Sequence, residues 1–215
     1  MSCDCCRAGP CEEMFGPDDA RRDMDAYLRH GLDDIEAQAL AALPPGVVED
    51  ARVLDVGGGV GAVQAELLRR GAASGEVIEL VGAYAPFARG LAERLGLAGR
   101  ASFRVHDLLA DPDGVEPADV VVLGRVVCCS ADGPQLTAVA ASLARRALLL
   151  TFPRANAVTR FVAAAQRFVF RLLGRRYRAY VWPTEVILGA AEGQGLRPVA
   201  QGRNRVWQYL VMLRP

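Results

Sequence analysis

Residues 53–61 of this 215-residue chain read Val-Leu-Asp-Val-Gly-Gly-Gly-Val-Gly. An apolar run that ends in glycines at 57, 59 and 61 is the pattern of a buried strand turning tightly into a helix. Glycine lets the backbone bend sharply and lets a ligand approach the main chain closely. The helix that follows, expected over 62–70, offers free N–H groups to such a ligand. The next hundred residues repeat the theme. Strands are expected at 52–56, 76–80, 102–105, 119–123 and 147–152, with helices at 62–70, 86–95 and 135–144. That alternation implies a parallel sheet with right-handed crossovers. Pro183-Thr184-Glu185 is expected to open another helix, with Thr184 as its cap. Two closing strands, 197–201 and 206–213, are joined by Gly202-Arg203-Asn204, a hairpin signal.

Three carboxylates fall at the carboxyl ends of adjacent strands, where open α/β sheets bind ligands. Asp55 precedes the glycines. Glu79 ends the second strand, where a carboxylate can accept two ribose hydroxyl hydrogen bonds. Asp107 follows the third strand, placed to accept from an adenine amino group; His106 beside it lines the same site through its backbone, and Tyr84 packs near the nucleoside. A tight strand-to-helix turn also needs glycine for structural reasons alone. Dinucleotide binding is the rival reading, but it usually carries G-x-G-x-x-G, and here the third glycine comes one residue early.

The stretch Leu54 to Gly61, with Glu79 and the His106-Asp107 pair, resembles the class I S-adenosylmethionine-dependent methyltransferases. The resemblance implies a Rossmann-like, doubly wound α/β fold of about seven strands, mostly parallel with one antiparallel. It implies S-adenosyl-L-methionine as the methyl donor, held by Asp55, Gly57, Gly58, Gly59, Gly61, Glu79, Leu80, His106, Asp107, Leu108 and Arg125, with Tyr27 closing on the methionine carboxylate. More narrowly, Cys5-Cys6 with Cys11, residues 27–33 (YLRHGLD), residues 124–129 (GRVVCC) and Val206-Trp207-Gln208 resemble a bacterial group related to magnesium-protoporphyrin O-methyltransferases. The chain departs from that group at Gly124 and Ser130-Ala131. A cysteine-rich N-terminal segment with a lid helix (1–46) is expected to precede the methyltransferase domain (47–215), which carries a basic helical insertion at 154–183.

Methyl transfer from a sulfonium needs alignment, exclusion of water and, for a hydroxyl acceptor, removal of a proton. The acceptor is expected beyond the fourth strand, near 125–132. Catalytic candidates are His30, Arg125, Cys128 and Cys129, with Arg125 placed to lower a thiol pKa. Cysteine is also a small buried hydrophobe, the plain alternative for Cys128 and Cys129. The other four cysteines, Cys3, Cys5, Cys6 and Cys11, fall in nine residues, and thiolates in such number can hold a metal. Their spacing matches no standard zinc module. Cys3, Cys5, Cys6, Cys11, Cys128 and Cys129 are together the candidate ligands of a thiolate-bound metal. Three readings follow: an enzyme methylating a small organic molecule, a sulfur- or metalloid-directed methyltransferase, and a non-enzymatic metal-binding or regulatory module that keeps the pocket.

Net charge is zero but uneven: −8 over residues 1–50, −1 over 51–150 and +9 over 151–215. Every basic residue is arginine. Without lysine there is no Schiff-base chemistry and no lysine-dependent phosphate loop. Neutrality and the lack of a nucleic-acid module argue against nucleic-acid binding. No apolar run reaches 18 residues, and the first 30 residues hold no apolar signal core, so a cytoplasmic protein is expected. A helix expected over 18–43 has apolar residues at helical spacing and Asp18 or Asp19 as cap; residues 1–17 read as loop. Between 154 and 178 stand seven arginines and no acid. The preferred reading packs the apolar face of that helix on the sheet and leaves the arginines in water; the other lays the helix on a membrane surface.

Overall fold

A computed structural model describes residues 8–215. Seven strands form one sheet: β1 (Arg52–Val56), β2 (Ser74–Glu79), β3 (Ala101–Val105), β4 (Ala118–Gly124), β5 (Ala144–Pro153), β6 (Arg197–Arg203) and β7 (Trp207–Leu213). Their order is β3-β2-β1-β4-β5-β7-β6. β1 pairs in parallel with β2 and β4, while β7 runs antiparallel between β5 and β6. The expected doubly wound sheet with one antiparallel strand is the fold observed.

The helices are α1 (Ala8–Glu12), α2 (Pro17–His30), α3 (Asp34–Ala41), α4 (Ala62–Arg69), α5 (Ala85–Arg94), α6 (Gly133–Leu143), α7 (Ala157–Leu172) and α8 (Thr184–Glu192). Alternation along the central strands divides their apolar residues between two cores. Val53, Val120, Val122, Ala147 and Leu149 face a core shared with α2, α3 and α4. Leu54, Val121, Leu123, Leu148 and Leu150 face the other, shared with α6 and α8.

Four local expectations change, the first being that residues 8–12, read as part of a loop, form the short helix α1. The single helix over 18–43 is two, because Gly31 takes φ +74° and Asp33 starts a new helix by accepting from the Ile35 and Glu36 amides at 3.1 Å. Gly16, not Asp18 or Asp19, is the N-cap of α2, and the Asp19 carboxylate accepts from the Gly16 amide at 3.0 Å. Thr184 does not cap α8: Pro183 holds the N-cap position, and the Thr184 hydroxyl donates to Gln208 Oε1 of β7 at 3.1 Å.

The largest change concerns α7. Its inward residues are Thr159 and Ala163, and its apolar face does not pack on the sheet. Phe161 is 74% exposed and Leu172 is 72% exposed. The periodicity was sufficient to foresee an amphipathic helix, but it is Thr159 and Ala163, with Phe170 half-buried against Tyr177, that turn toward the protein, and not the other large apolar residues.

Candidate functional site

The strand that ends in glycine opens onto a cavity of about 490 Å³ at the carboxyl ends of β1, β2 and β4. That volume is ordinary for a small-molecule site (roughly 300–1,000 Å³). Its floor is the glycine loop. Gly57, Gly59 and Gly61 all take positive φ, +67°, +55° and +77°, which side chains other than glycine resist. A Cβ on Gly57 would also lie 2.4 Å from Val126. Two requirements therefore coincide there: a left-handed backbone and close packing against the β4 side of the cavity.

Acids dominate the lining. Asp23, Asp33, Glu36, Asp55, Glu79 and Asp107 all border the cavity, against one arginine, Arg125. Glu79 ties the loop to β2: its Oε2 accepts from the Gly59 amide at 3.2 Å and its Oε1 from the Val81 amide at 3.1 Å. A carboxylate offers about four lone-pair sites, so capacity remains for a ligand. Asp55 is fully buried, and neither carboxylate oxygen reaches a donor with hydrogen-bond geometry among the described residues. Burial, offset in part by the Gln64 amide and reinforced by the nearby Glu79 charge, pushes its pKa up to about 7. Glu36 is likewise pushed up to about 7, by burial first and then by Asp55 and Asp23. Asp107 Oδ1 accepts from the Leu109 and Ala110 amides at 3.0 and 3.2 Å, which rigidifies the turn after β3.

The wall opposite the loop comes from the N-terminal helices. Asp23 and Tyr27, one turn apart on α2, both border the cavity. Tyr27 donates to Glu66 Oε1 at 2.8 Å, and Tyr84 donates to Asp23 Oδ2 at 3.2 Å while its ring covers Gly59. Arg125 stands in a left-handed conformation, φ +56°. Its guanidinium pairs with Asp33, lies 3.7 Å from Glu36 and stacks on Trp207 with 4.6 Å to the ring centroid.

At the other end stand the thiols. Cys128 and Cys129 lie in a short 3₁₀ turn after β4, their sulfurs 4.0 Å apart. Cys129 Sγ is 3.3 Å from the Tyr177 hydroxyl. The Cys128 thiol donates to the Arg125 carbonyl at 3.1 Å. The hydrogen bond between the two thiols raises the pKa of Cys128 and, with Tyr177, lowers that of Cys129. Cys11 and Cys129 border the same cavity, so one of the four N-terminal cysteines shares it with one of the second pair.

No family model and no curated protein matches the sequence. Solved structures do match. An O-methyltransferase family protein from Burkholderia thailandensis superposes with TM-score 0.68 at 23% identity, over 91% of this chain and 59% of that one. The magnesium protoporphyrin IX methyltransferase of Synechocystis PCC 6803, solved with bound S-adenosylhomocysteine, gives TM-score 0.66 at 20% identity over 91% and 87%. An O-methyltransferase family 2 protein from Planctomyces limnophilus, in complex with apigenin, gives 0.70 at 20% over 95% and 63%. The fold is that of the class I methyltransferases. This chain spans about three-fifths of the length of the first and third of these structures.

Within this class I fold, the residues expected to bind the donor converge: Tyr27, Asp55, Gly57, Gly58, Gly59, Glu79, Leu80, His106, Asp107, Leu108 and Arg125 all border the cavity, and Gly61 starts the helix beneath it. Arg125 does lower the Cys128 thiol, as expected, but the hydrogen bond with Cys129 and burial outweigh it and Cys128 is shifted up on balance; the guanidinium itself pairs with Asp33 and lies 3.7 Å from Glu36. His30 ends α2, exposed and outside the cavity lining. Cys3, Cys5 and Cys6 lie outside the described residues. Among the described residues no group of three or more possible metal ligands occurs. Asp23, Asp33, Glu36 and Tyr177 were not foreseen. Asp23 left a signal, four residues before Tyr27 on one helix face, and Asp33 ends the 27–33 stretch; Glu36 reaches the cavity, and Tyr177 the Cys129 thiol, through tertiary packing.

Proposed function

We propose that this chain is an S-adenosylmethionine-dependent methyltransferase acting on a small molecule. The charge of the cavity carries the reading: six carboxylates against one arginine. A nicotinamide dinucleotide would bring a pyrophosphate dianion into that field. S-adenosylmethionine brings a sulfonium and an ammonium, and the buried Asp55, which the Gln64 amide offsets only in part, is the group such a cation satisfies. Glu79 then holds the ribose hydroxyls and Asp107 the adenine amino group, while the glycine loop lets the ligand lie against the main chain.

When bound, the donor supplies a methyl carbon already activated by positive sulfur. The protein's part is to align the acceptor, keep water out and move a proton. Cys129, polarised by the Cys128 thiol and the Tyr177 hydroxyl, is the group at the acceptor end able to take that proton. A second reading, methyl transfer to sulfur or to a metalloid held by thiols, draws support from Cys11 and Cys129 bordering one cavity. Turnover with thiol or arsenite acceptors against phenol and carboxylate acceptors separates the two.

The test is calorimetry with S-adenosylhomocysteine and with NAD. Stoichiometric binding of the first and none of the second is expected. Tighter binding of NAD, or no affinity for either, removes the proposal.

A further inference from the structure

Helix α7 is about 24 Å long at 1.5 Å per residue. Val158, Phe161, Val162, Phe168, Val169 and Leu172 form one stripe along it, continued across the middle by Ala165 at spacings of three and four residues, and all six are exposed. The opposite side touches the protein only through small or partly covered residues, chiefly Thr159 and Ala163. Arg160, Arg167 and Arg171 flank the stripe, exposed and without an ion-pair partner among the described residues. Nearby Arg176 does pair, with Glu13 at 2.7 Å.

An apolar stripe open to water on so short a helix is costly unless something covers it. A second copy laid stripe on stripe would bring two arginine rows together. An anionic surface with an apolar interior suits both features: the aromatic and aliphatic side chains enter, and the long arginine stems let the charges rest among the headgroups. We propose that α7 docks the protein on an anionic lipid surface, lying in the interface plane. This inference stands apart from the methyltransferase reading, since it uses none of the cavity residues. It does bear on the cavity's surroundings. The chain leaving α7 passes over the thiol end, where the Tyr180 amide donates to the Cys128 carbonyl at 2.8 Å and Tyr177 meets Cys129.

Sedimentation of the full chain with vesicles of phosphatidylcholine alone and of phosphatidylcholine with phosphatidylglycerol tests the proposal. Binding to the anionic vesicles only, weakening with salt, is expected. Arg160→Gln/Arg167→Gln/Arg171→Gln should weaken it roughly 100-fold, about fivefold per charge. Phe161→Ser/Phe168→Ser should abolish it; both rings are exposed, so an unchanged melting temperature confirms the fold. No binding to anionic vesicles overturns the proposal. So does undiminished binding by the phenylalanine variant, or a dimer in sedimentation velocity that this variant disperses.

Discussion

The Tyr84 hydroxyl donates to Asp23 Oδ2 across 3.2 Å, and this bond closes the N-terminal helix α2 over the glycine loop. Tyr84 lies within 3.5 Å of the position a Gly59 Cβ would take, so the same ring that anchors α2 also covers the loop. Removing the hydroxyl with Tyr84→Phe leaves Asp23, whose pKa burial already raises, without its donor. A loss of about 1 kcal/mol in stability is expected, with S-adenosylhomocysteine affinity falling several-fold. Chemical denaturation and calorimetry on one preparation measure both. Affinity equal to that of the native chain would mean that α2 does not close the site.

Glycine at 57 serves the backbone, and glycine at 90 does not. Gly57→Ala would force a Cβ to within 2.4 Å of Val126 at φ +67° and should cost more than about 2 kcal/mol. Gly90 sits inside α5 with nothing within 4 Å of an added Cβ, so Gly90→Ala should stabilise by about 0.5–1 kcal/mol. Thermal melts that rank the two variants the other way would contradict the geometry.

These glycines were legible in the sequence because everything they need is local: a strand, a turn and a helix in consecutive residues. Glu79 and Asp107 were legible for the same reason, each ending a recognisable strand. What escaped was long-range. Glu36 reaches the cavity, and Tyr177 the Cys129 thiol beside it, from segments whose own patterns say nothing about where they dock. The periodicity of α7 was plain, yet a period identifies a face and not the surface that covers it. Small Thr159 and Ala163 face inward where the bulky residues were expected.

The raised carboxylates set a pH dependence. Asp55 and Glu36 ionise near 7 in the folded protein and near 4 in the unfolded chain. Between about pH 4 and 7 the folded state therefore holds protons that the unfolded state has released. Stability falls as pH rises through that window and levels off above it. Asp55→Asn should flatten its share of the slope. S-adenosylmethionine affinity should rise with pH from 5 to 7, by up to about tenfold per unit, as Asp55 ionises to meet the cation. Denaturation at pH 5 and 7.5 checks the first effect and calorimetry the second; a slope that Asp55→Asn leaves intact would assign the effect elsewhere.

The thiol pair should react unequally. Cys129, lowered by its two hydrogen-bond partners, should alkylate with iodoacetamide about tenfold faster than Cys128, which is shifted up. S-adenosylhomocysteine should slow the Cys129 reaction, since that residue borders the cavity. Site-resolved mass spectrometry distinguishes the two. Equal rates, or no protection, would remove Cys129 from the acceptor end.

The central claim is that carboxylates at the ends of β2 and β3 grip an adenosyl ligand whose cationic part rests on Asp55. Equilibrium binding of S-adenosylmethionine to the native chain and to Glu79→Gln/Asp107→Asn tests it most directly. One site on the native protein and a loss of roughly 100-fold or more in the double variant, two charged hydrogen-bond acceptors being removed, is the expected result. Unchanged affinity in a variant that melts like the native chain would contradict it.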